Sequence, residues 1–130
     1  MKDEGRRSEM KGGRSMLHEK SLDFAVRIVN FNKYLREEKK EFVISKQILR
    51  SGTSIGANVR ESRNAQTDPD YLTKINIALK EADETQYWLE VLLRSKLISE
   101  TEFNSMNNDL KELIAMLVST VKKLKQKSPK

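Results

Sequence analysis

Four segments of the sequence place apolar residues three or four positions apart, and this spacing constrains the fold more than any other feature. The third segment repeats it most regularly, in a stripe that includes one glutamine: Leu72, Ile75, Leu79, Ala82, Gln86, Leu89 and Leu93. Such spacing lines one face of an α-helix, whereas a half-buried strand needs apolar and polar residues to alternate. Because that alternation is nowhere sustained, the chain is predicted to be all-α.

The other three segments carry stripes of the same kind. In chain order these are Phe24, Ile28, Phe31 and Leu35; then Ile44, Ile48, Gly52, Ile55 and Val59; then Phe103, Met106, Leu110, Leu113, Leu117, Val121 and Leu124. Asp68 is the expected cap of the third helix, with Pro69 at its first position, and Ser99–Glu102 has the sequence of a capping box. Short connections favour antiparallel neighbours, so we predict an up-down-up-down four-helix bundle.

Composition sets the expected domain organisation and location. The chain has 130 residues, enough for one domain, and we expect a disordered polar leader over 1–16, the bundle over 17–126 and a basic tail over 127–130. It contains no cysteine, which excludes disulfides and thiolate metal sites and is typical of a reducing compartment. It also lacks a run of about 18 apolar residues and a secretory signal pattern. We therefore expect a cytoplasmic protein.

The stretch RSGTSIGANVRES, residues 50–62, resembles a phosphate-binding loop in its glycine and serine content. A P-loop needs a preceding strand and a Gly-Lys-Ser/Thr ending, and this stretch has neither. Its apolar spacing instead predicts the interior of a helix. Gly52 and Gly56 each cost about 1 kcal/mol relative to alanine there, so we expect them to allow close approach of another helix.

A second row on the same helix consists of uncharged polar residues and one acid. Its members are Gln47, Ser51, Ser54, Asn58 and Glu61. A solvent face normally carries Lys and Glu, so we interpret this polar seam as buried or interfacial, with each group needing a hydrogen-bond partner. A solvated row is the alternative.

Two motifs give the chain a resemblance to a known family. SKQILRSGTSIGANVRES and INIALKEADETQYWLEVL are similar to the second and third helices of small bacterial four-helix-bundle proteins encoded in intervening sequences of 23S ribosomal RNA genes. The residues that match are Gln47, Arg50, Ser51, Ser54, Ile55, Asn58 and Glu61, then Ala78, Leu79, Glu84, Thr85, Trp88 and Leu89. Ser62 departs from the pattern, since a glycine or other small residue often follows the glutamate.

The resemblance implies partners rather than chemistry. Related proteins are the accessory variability determinants of diversity-generating retroelements, which are pentamers that bind a reverse transcriptase and nucleic acid. A homo-oligomer of this kind, in contact with RNA or DNA and a reverse transcriptase, is therefore what the resemblance implies for this chain.

The residues themselves argue against most catalytic sites. A di-iron bundle needs paired Glu-x-x-His motifs, but the chain has one histidine, His18, with no glutamate three residues before it. We expect His18 to be a surface or capping residue, and we expect no metal, cofactor or catalytic residue. The alternative from another class is a metal-dependent hydrolase or nuclease that uses Glu61 and Glu84.

Charge and apolar spacing predict two interaction surfaces. The net charge is +6 at pH 7, and basic chains favour nucleic acid as a partner. The candidate phosphate contacts are Arg50, Arg60, Arg63, Lys122, Lys123, Lys125 and Lys127; ordinary helix-end charge is the alternative. The candidate self-association surface lies on the third helix, opposite its apolar stripe. It consists of Ile77, Glu81, Glu84, Trp88 and Val91. A neighbouring helix covering Trp88 within one chain is the alternative there.

Overall fold

The computed structural model describes the backbone of residues 4–127 and the side chains of residues 14–126. It contains four helices: α1 (Glu4–Glu37), α2 (Ile44–Ser62), α3 (Asp68–Arg94) and α4 (Glu100–Lys127). Helix α2 packs against α1 and α3, helix α3 against α2 and α4, and α4 closes the arrangement against α1. The predicted four-helix bundle is therefore confirmed, and the described residues include no strand.

Two helix starts differ from the sequence expectation. Helix α1 begins at Glu4, well before the expected start at Leu17. The leader was expected to be disordered because it is polar, but Lys, Arg, Met and Glu are good helix formers, so polarity did not mark the helix start. Thr67, not Asp68, caps α3, because its backbone is extended and its Oγ1 accepts the Asp70 N–H at 3.2 Å.

Glutamate side chains take part in the N-terminal caps of both α2 and α4. The predicted capping box is present, since the Ser99 N–H donates to Glu102 at 2.8 Å and the Glu102 N–H to Ser99 Oγ at 3.1 Å. At α2 the Glu41 carboxylate accepts the backbone N–H groups of residues 43, 44 and 45, at 3.1, 2.9 and 2.7 Å. Sequence rules missed this cap because Glu is not among the preferred N-cap residues.

The two glycines of α2 lie where α1 approaches it most closely. A Cβ at Gly52 would lie 2.7 Å from Cγ1 of Ile28, and one at Gly56 would lie 3.1 Å from the carbonyl oxygen of Ser21. The first distance is shorter than real Cβ contacts, and the second would force the α1 backbone to shift slightly. The expected role of Gly52 and Gly56 in close helix approach is therefore confirmed.

Helix α3 is rotated relative to the predicted stripe. Its buried residues are Tyr71, Ile75, Ala78, Ala82, Thr85, Leu89 and Leu92, whereas Leu72, Leu79 and Leu93 are only half-buried. At 100° per residue, the buried face lies roughly 60° from the predicted one. The small residues Ala78 and Ala82 thus lie on the buried face, and the leucines lie at its flank. The candidate self-association surface was placed opposite the predicted stripe, so its expected position on α3 is wrong by the same angle.

We expect Gly52→Ala to destabilise the bundle even though alanine is the better helix former. The gain in helix propensity is about 1 kcal/mol, whereas overpacking a core typically costs about 1–3 kcal/mol. Chemical denaturation of the wild type and the variant measures the difference.

The background Ile28→Ala supplies the control, because it removes the side chain that the new methyl group would meet. In that background Gly52→Ala should stabilise the protein. Destabilisation of equal size in both backgrounds would show that the close approach to Ile28 is not the cause.

Candidate nucleic-acid interface

The antiparallel topology brings basic residues from three helices to one end of the bundle. The C-termini of α2 and α4 and the beginning of the described side chains of α1 lie at this end. We call it the basic end and define it by six exposed residues: Arg14, Arg60, Arg63, Lys122, Lys123 and Lys125. The side chain of Lys127 lies outside the described residues. Basic side chains also complement the negative ends of the α2 and α4 dipoles.

The opposite end of the bundle carries no comparable excess of positive charge. There the α1–α2 turn has the sequence REEKKE, and the α3–α4 turn places Arg94 and Lys96 beside Glu100 and Glu102. Opposite charges that alternate over such short distances largely cancel at the range of a Debye length, about 10 Å at 0.1 M salt. The basic end thus gathers six exposed basic side chains, although the α3 N-terminus brings the exposed Asp68 and Asp70 to the same end.

Arg50 does not belong to the basic end. It lies in the middle of α2 and pairs across the α2–α3 interface with Glu84 and, at 3.4 Å, with Glu81. The hydrogen bond from Arg50, with a further one from the Trp88 indole at 3.3 Å, lowers the pKa of Glu84 below its ordinary value. The structure therefore gives Arg50 an internal partner, which removes much of its attraction for an external phosphate.

His18 is buried, so the expectation that it lies at the surface or caps a helix is wrong. It is 7% exposed, and its Nε2 accepts a hydrogen bond from Nε of Arg60 at 3.1 Å. The carbonyl of His18 also accepts the Ser21 hydroxyl at 2.9 Å. The sequence did not indicate this burial, because a single histidine carries no periodic signal.

The polar seam follows the boundary between α2 and α3. Ser51 is fully buried, and its Oγ lies 2.9 Å from Oγ1 of the equally buried Thr85. Ser54 and Asn58 are half-buried and donate to the carbonyls of residues 50 and 54 on their own helix. Glu61 is exposed and accepts from Lys74 at 2.7 Å, while Gln47 is half-buried. The row thus changes from buried at Ser51 to solvated at Glu61.

The predicted self-association surface on α3 is half-buried within one chain. Ile77, Glu81, Glu84, Trp88 and Val91 all have intermediate exposure. Trp88 packs against the core cluster and meets Tyr87 edge-on, with ring centroids 4.9 Å apart. The rotation of α3 moves Trp88 from the far side of the helix to the flank beside α2. Its role in self-association stays a prediction.

An exposed apolar stripe on α1 was missed by the sequence analysis. Leu22, Val26 and Val29 are 42%, 56% and 44% exposed. Their +4 and +3 spacing puts them on one face, roughly opposite the buried face that contains Phe24 and Ile28. The spacing is visible in the sequence, where it runs parallel to the core stripe of α1.

The structure does not bring Glu61 and Glu84 together. Glu61 pairs with Lys74, whereas Glu84 pairs with Arg50, eleven residues earlier in α2 than Glu61. At 1.5 Å per residue these two pairs are about 16 Å apart along the helix, too far for one metal ion. Among the residues that the structure describes, no group of His, Cys, Asp and Glu is arranged to hold a metal. None of the described helices has the length and hydropathy needed to cross a bilayer.

Comparison with known proteins agrees with the resemblance carried by the α2 and α3 motifs. The family model for the 23S rRNA-intervening sequence protein matches residues 15–119. A solved structure from Bacteroides thetaiotaomicron, a protein with unknown function from the S23 ribosomal protein family, is 55% identical with a TM-score of 0.83. That match covers 85% of this chain and 98% of the other. Comparison with curated proteins gives no match.

We expect Glu84→Gln to lower stability at neutral pH by up to about 1 kcal/mol, the usual range for a solvent-exposed ion pair. Since the pKa of Glu84 is lowered in the folded state, its contribution is present above its ordinary value of 4.5 and is lost as the pH falls through the folded pKa. The deficit should therefore shrink when denaturation is repeated at about pH 3.

Glu90→Gln removes the same charge from an exposed position of α3 and is the matched control. A deficit for Glu84→Gln that stays constant from neutral to acid pH would contradict the assignment of its stabilising role to the charged carboxylate.

Proposed function

The chain belongs to the 23S rRNA-intervening sequence protein family, and we propose that it is a non-enzymatic scaffold that self-assembles and binds RNA or DNA phosphates. The observation that carries this proposal is the concentration of exposed arginine and lysine at the basic end. A surface of this kind attracts the phosphate backbone without reading bases, so binding depends on salt and has little sequence preference.

The chemistry of the basic end supports phosphate binding rather than base recognition. Its exposed side chains are arginine and lysine. Tyr71 is buried beneath Arg14, whose guanidinium carbon lies 4.2 Å from the ring centroid, so this ring is not open for base stacking. The retroelement accessory proteins that the chain resembles bind a reverse transcriptase as well as nucleic acid, and we propose a protein of that class as a further partner.

Self-assembly is supported by the apolar stripe on α1. Leu22, Val26 and Val29 form a continuous row that no part of the described chain covers. Such a row favours burial against a partner surface. The resemblance suggests a pentamer, and a ring requires each copy to use two different surfaces, because only heterologous contacts close with five subunits. The predicted α3 surface around Trp88 is the second surface in this proposal.

A salt titration tests nucleic-acid binding. We expect the wild type to bind a short DNA duplex at low salt, with the logarithm of affinity falling against the logarithm of salt by about 0.9 per contacted phosphate. Replacing Lys122, Lys123 and Lys125 with glutamine should weaken binding and flatten this slope, as measured by fluorescence anisotropy.

The matched control replaces three exposed lysines elsewhere in the bundle, Lys33, Lys46 and Lys80, with glutamine. It removes the same charge but leaves the basic end unchanged. Equal losses in the two triple variants would show that only net charge matters, and absence of wild-type binding at low salt would contradict the proposal.

Light scattering tests self-assembly. We expect a mass several times 15.1 kDa, and we expect Val26→Glu to reduce it, because a charge would be buried at the α1 contact. Tyr87→Glu applies the same test to the α3 surface, because Tyr87 is 59% exposed and contacts Trp88.

Ala115→Glu, on the exposed side of α4, introduces the same charge as a control and should leave the mass unchanged. Circular dichroism establishes that each variant remains helical. A wild-type monomer at micromolar concentration would rule out self-assembly.

A further inference from the structure

Arg60 differs from Arg27 and Arg50, the two other arginines whose side chains hydrogen-bond to a neighbouring helix. Arg27 pairs with Asp109, and Arg50 pairs with Glu81 and Glu84, so carboxylates offset both charges. Arg60 instead donates from Nε to the imidazole of His18. Within residues 14–126 no carboxylate lies within ion-pair distance of the Arg60 guanidinium. Its positive charge therefore has a ring nitrogen, and not a carboxylate, as its hydrogen-bond partner at the basic end.

The hydrogen bond indicates which nitrogen of a neutral His18 ring carries the proton. Because Nε of Arg60 is a donor, Nε2 of His18 must present a lone pair, and a neutral imidazole then carries its proton on Nδ1. Glu19 Oε2 lies 3.8 Å from this Nδ1, on the other side of the ring. From α1 and α2, the charged groups that the structure places against the imidazole are thus Glu19 and Arg60, one near each nitrogen.

The packing of α1 on α2 holds His18 rigidly beneath Arg60. Gly56, four residues before Arg60, brings α2 close to the backbone of α1 at Ser21, and the Ser21 hydroxyl bonds back to the carbonyl of His18. The imidazole is therefore buried and positioned by the same contact that sets the spacing between the helices. An arginine anchored by Nε to such a group keeps a defined plane at little further entropic cost.

We propose that His18 positions Arg60 to bind a backbone phosphate of RNA or DNA through its two Nη groups. The Nη pair matches the geometry of phosphate oxygens, and charge-assisted hydrogen bonds of this type are stronger than neutral ones. Arg63, three residues later at the C-cap of α2, would add positive charge near the same phosphate. This inference rests on the proposed nucleic-acid binding and assigns His18 to it as a positioning residue.

The first experiment compares two arginine variants in the duplex titration. Arg60→Gln should lower affinity roughly tenfold at about 0.1 M salt and reduce the salt slope by about one unit, as expected for one lost phosphate contact. Arg94→Gln removes the same charge from the opposite end of the bundle and should change affinity less than twofold or so. If the wild type binds the duplex and the two variants lower affinity equally, this inference is overturned while the proposed function remains.

The second experiment tests whether His18 acts through Arg60. His18→Phe keeps a buried ring but removes the acceptor, and it should lower affinity, whereas His18→Gln retains an acceptor and should restore most of it. In the Arg60→Gln background His18→Phe should have no further effect on binding. An additional loss there would show that His18 acts only through the general fold, and would overturn the positioning role.

A measurement without nucleic acid completes the test and needs no variant. Nitrogen-15 chemical shifts of the histidine in the wild-type protein distinguish its tautomers, and we expect the proton on Nδ1 at neutral pH. A proton on Nε2 would overturn the inference, whatever the affinity measurements give. If the wild type shows the expected tautomer but binds no nucleic acid, the proposed function is contradicted. Arg60 would then have no phosphate to bind.

Discussion

The close approach of α1 and α2 at Gly52 and Gly56 is the contact on which the rest of the structure depends. Without side chains at these two positions, Ile28 packs directly on the α2 backbone and the Ser21 carbonyl comes within van der Waals range. The cost of two glycines in a helix, about 1 kcal/mol each relative to alanine, is offset by this packing. The same contact places His18 against Arg60, and so links the stability of the bundle to the arrangement of its basic end.

The two sides of α2 then have different roles. Toward α1 it offers glycines and apolar residues, whereas toward α3 it offers Ser51, which bonds the buried Thr85, and Arg50, which pairs with Glu84. Directional polar contacts of this kind specify the rotation of α3 more sharply than apolar packing alone, since buried polar groups left without partners are costly. Helix α3 is consequently turned so that Thr85 faces the core and Trp88 lies at the flank.

Helix existence and most of the core were predictable from the sequence because apolar spacing reports which residues a helix buries. The core residues of α1 followed directly from that pattern, and the capping box at Ser99 followed from its Ser-x-x-Glu motif. The rotation of α3 did not, because Leu72 and Ala78 compete for the interior and only the partner helix decides between them. The burial of His18 was missed for a related reason: a single polar residue carries no periodic signal, and its partner Arg60 is distant in sequence. The basic end required the topology, which brings separate helix termini together.

The central claim is that the basic end is the surface that meets nucleic acid, and mapping of backbone amide chemical shifts tests it most directly. Titration of the isotope-labelled protein with a short DNA duplex or RNA should perturb the amides around Arg14, around Arg60 and Arg63, and around Lys122 to Lys125. The amides of the α1–α2 turn and the start of α4, at the opposite end, should remain unchanged. Perturbations concentrated at that opposite end, or none at low salt, would contradict the account.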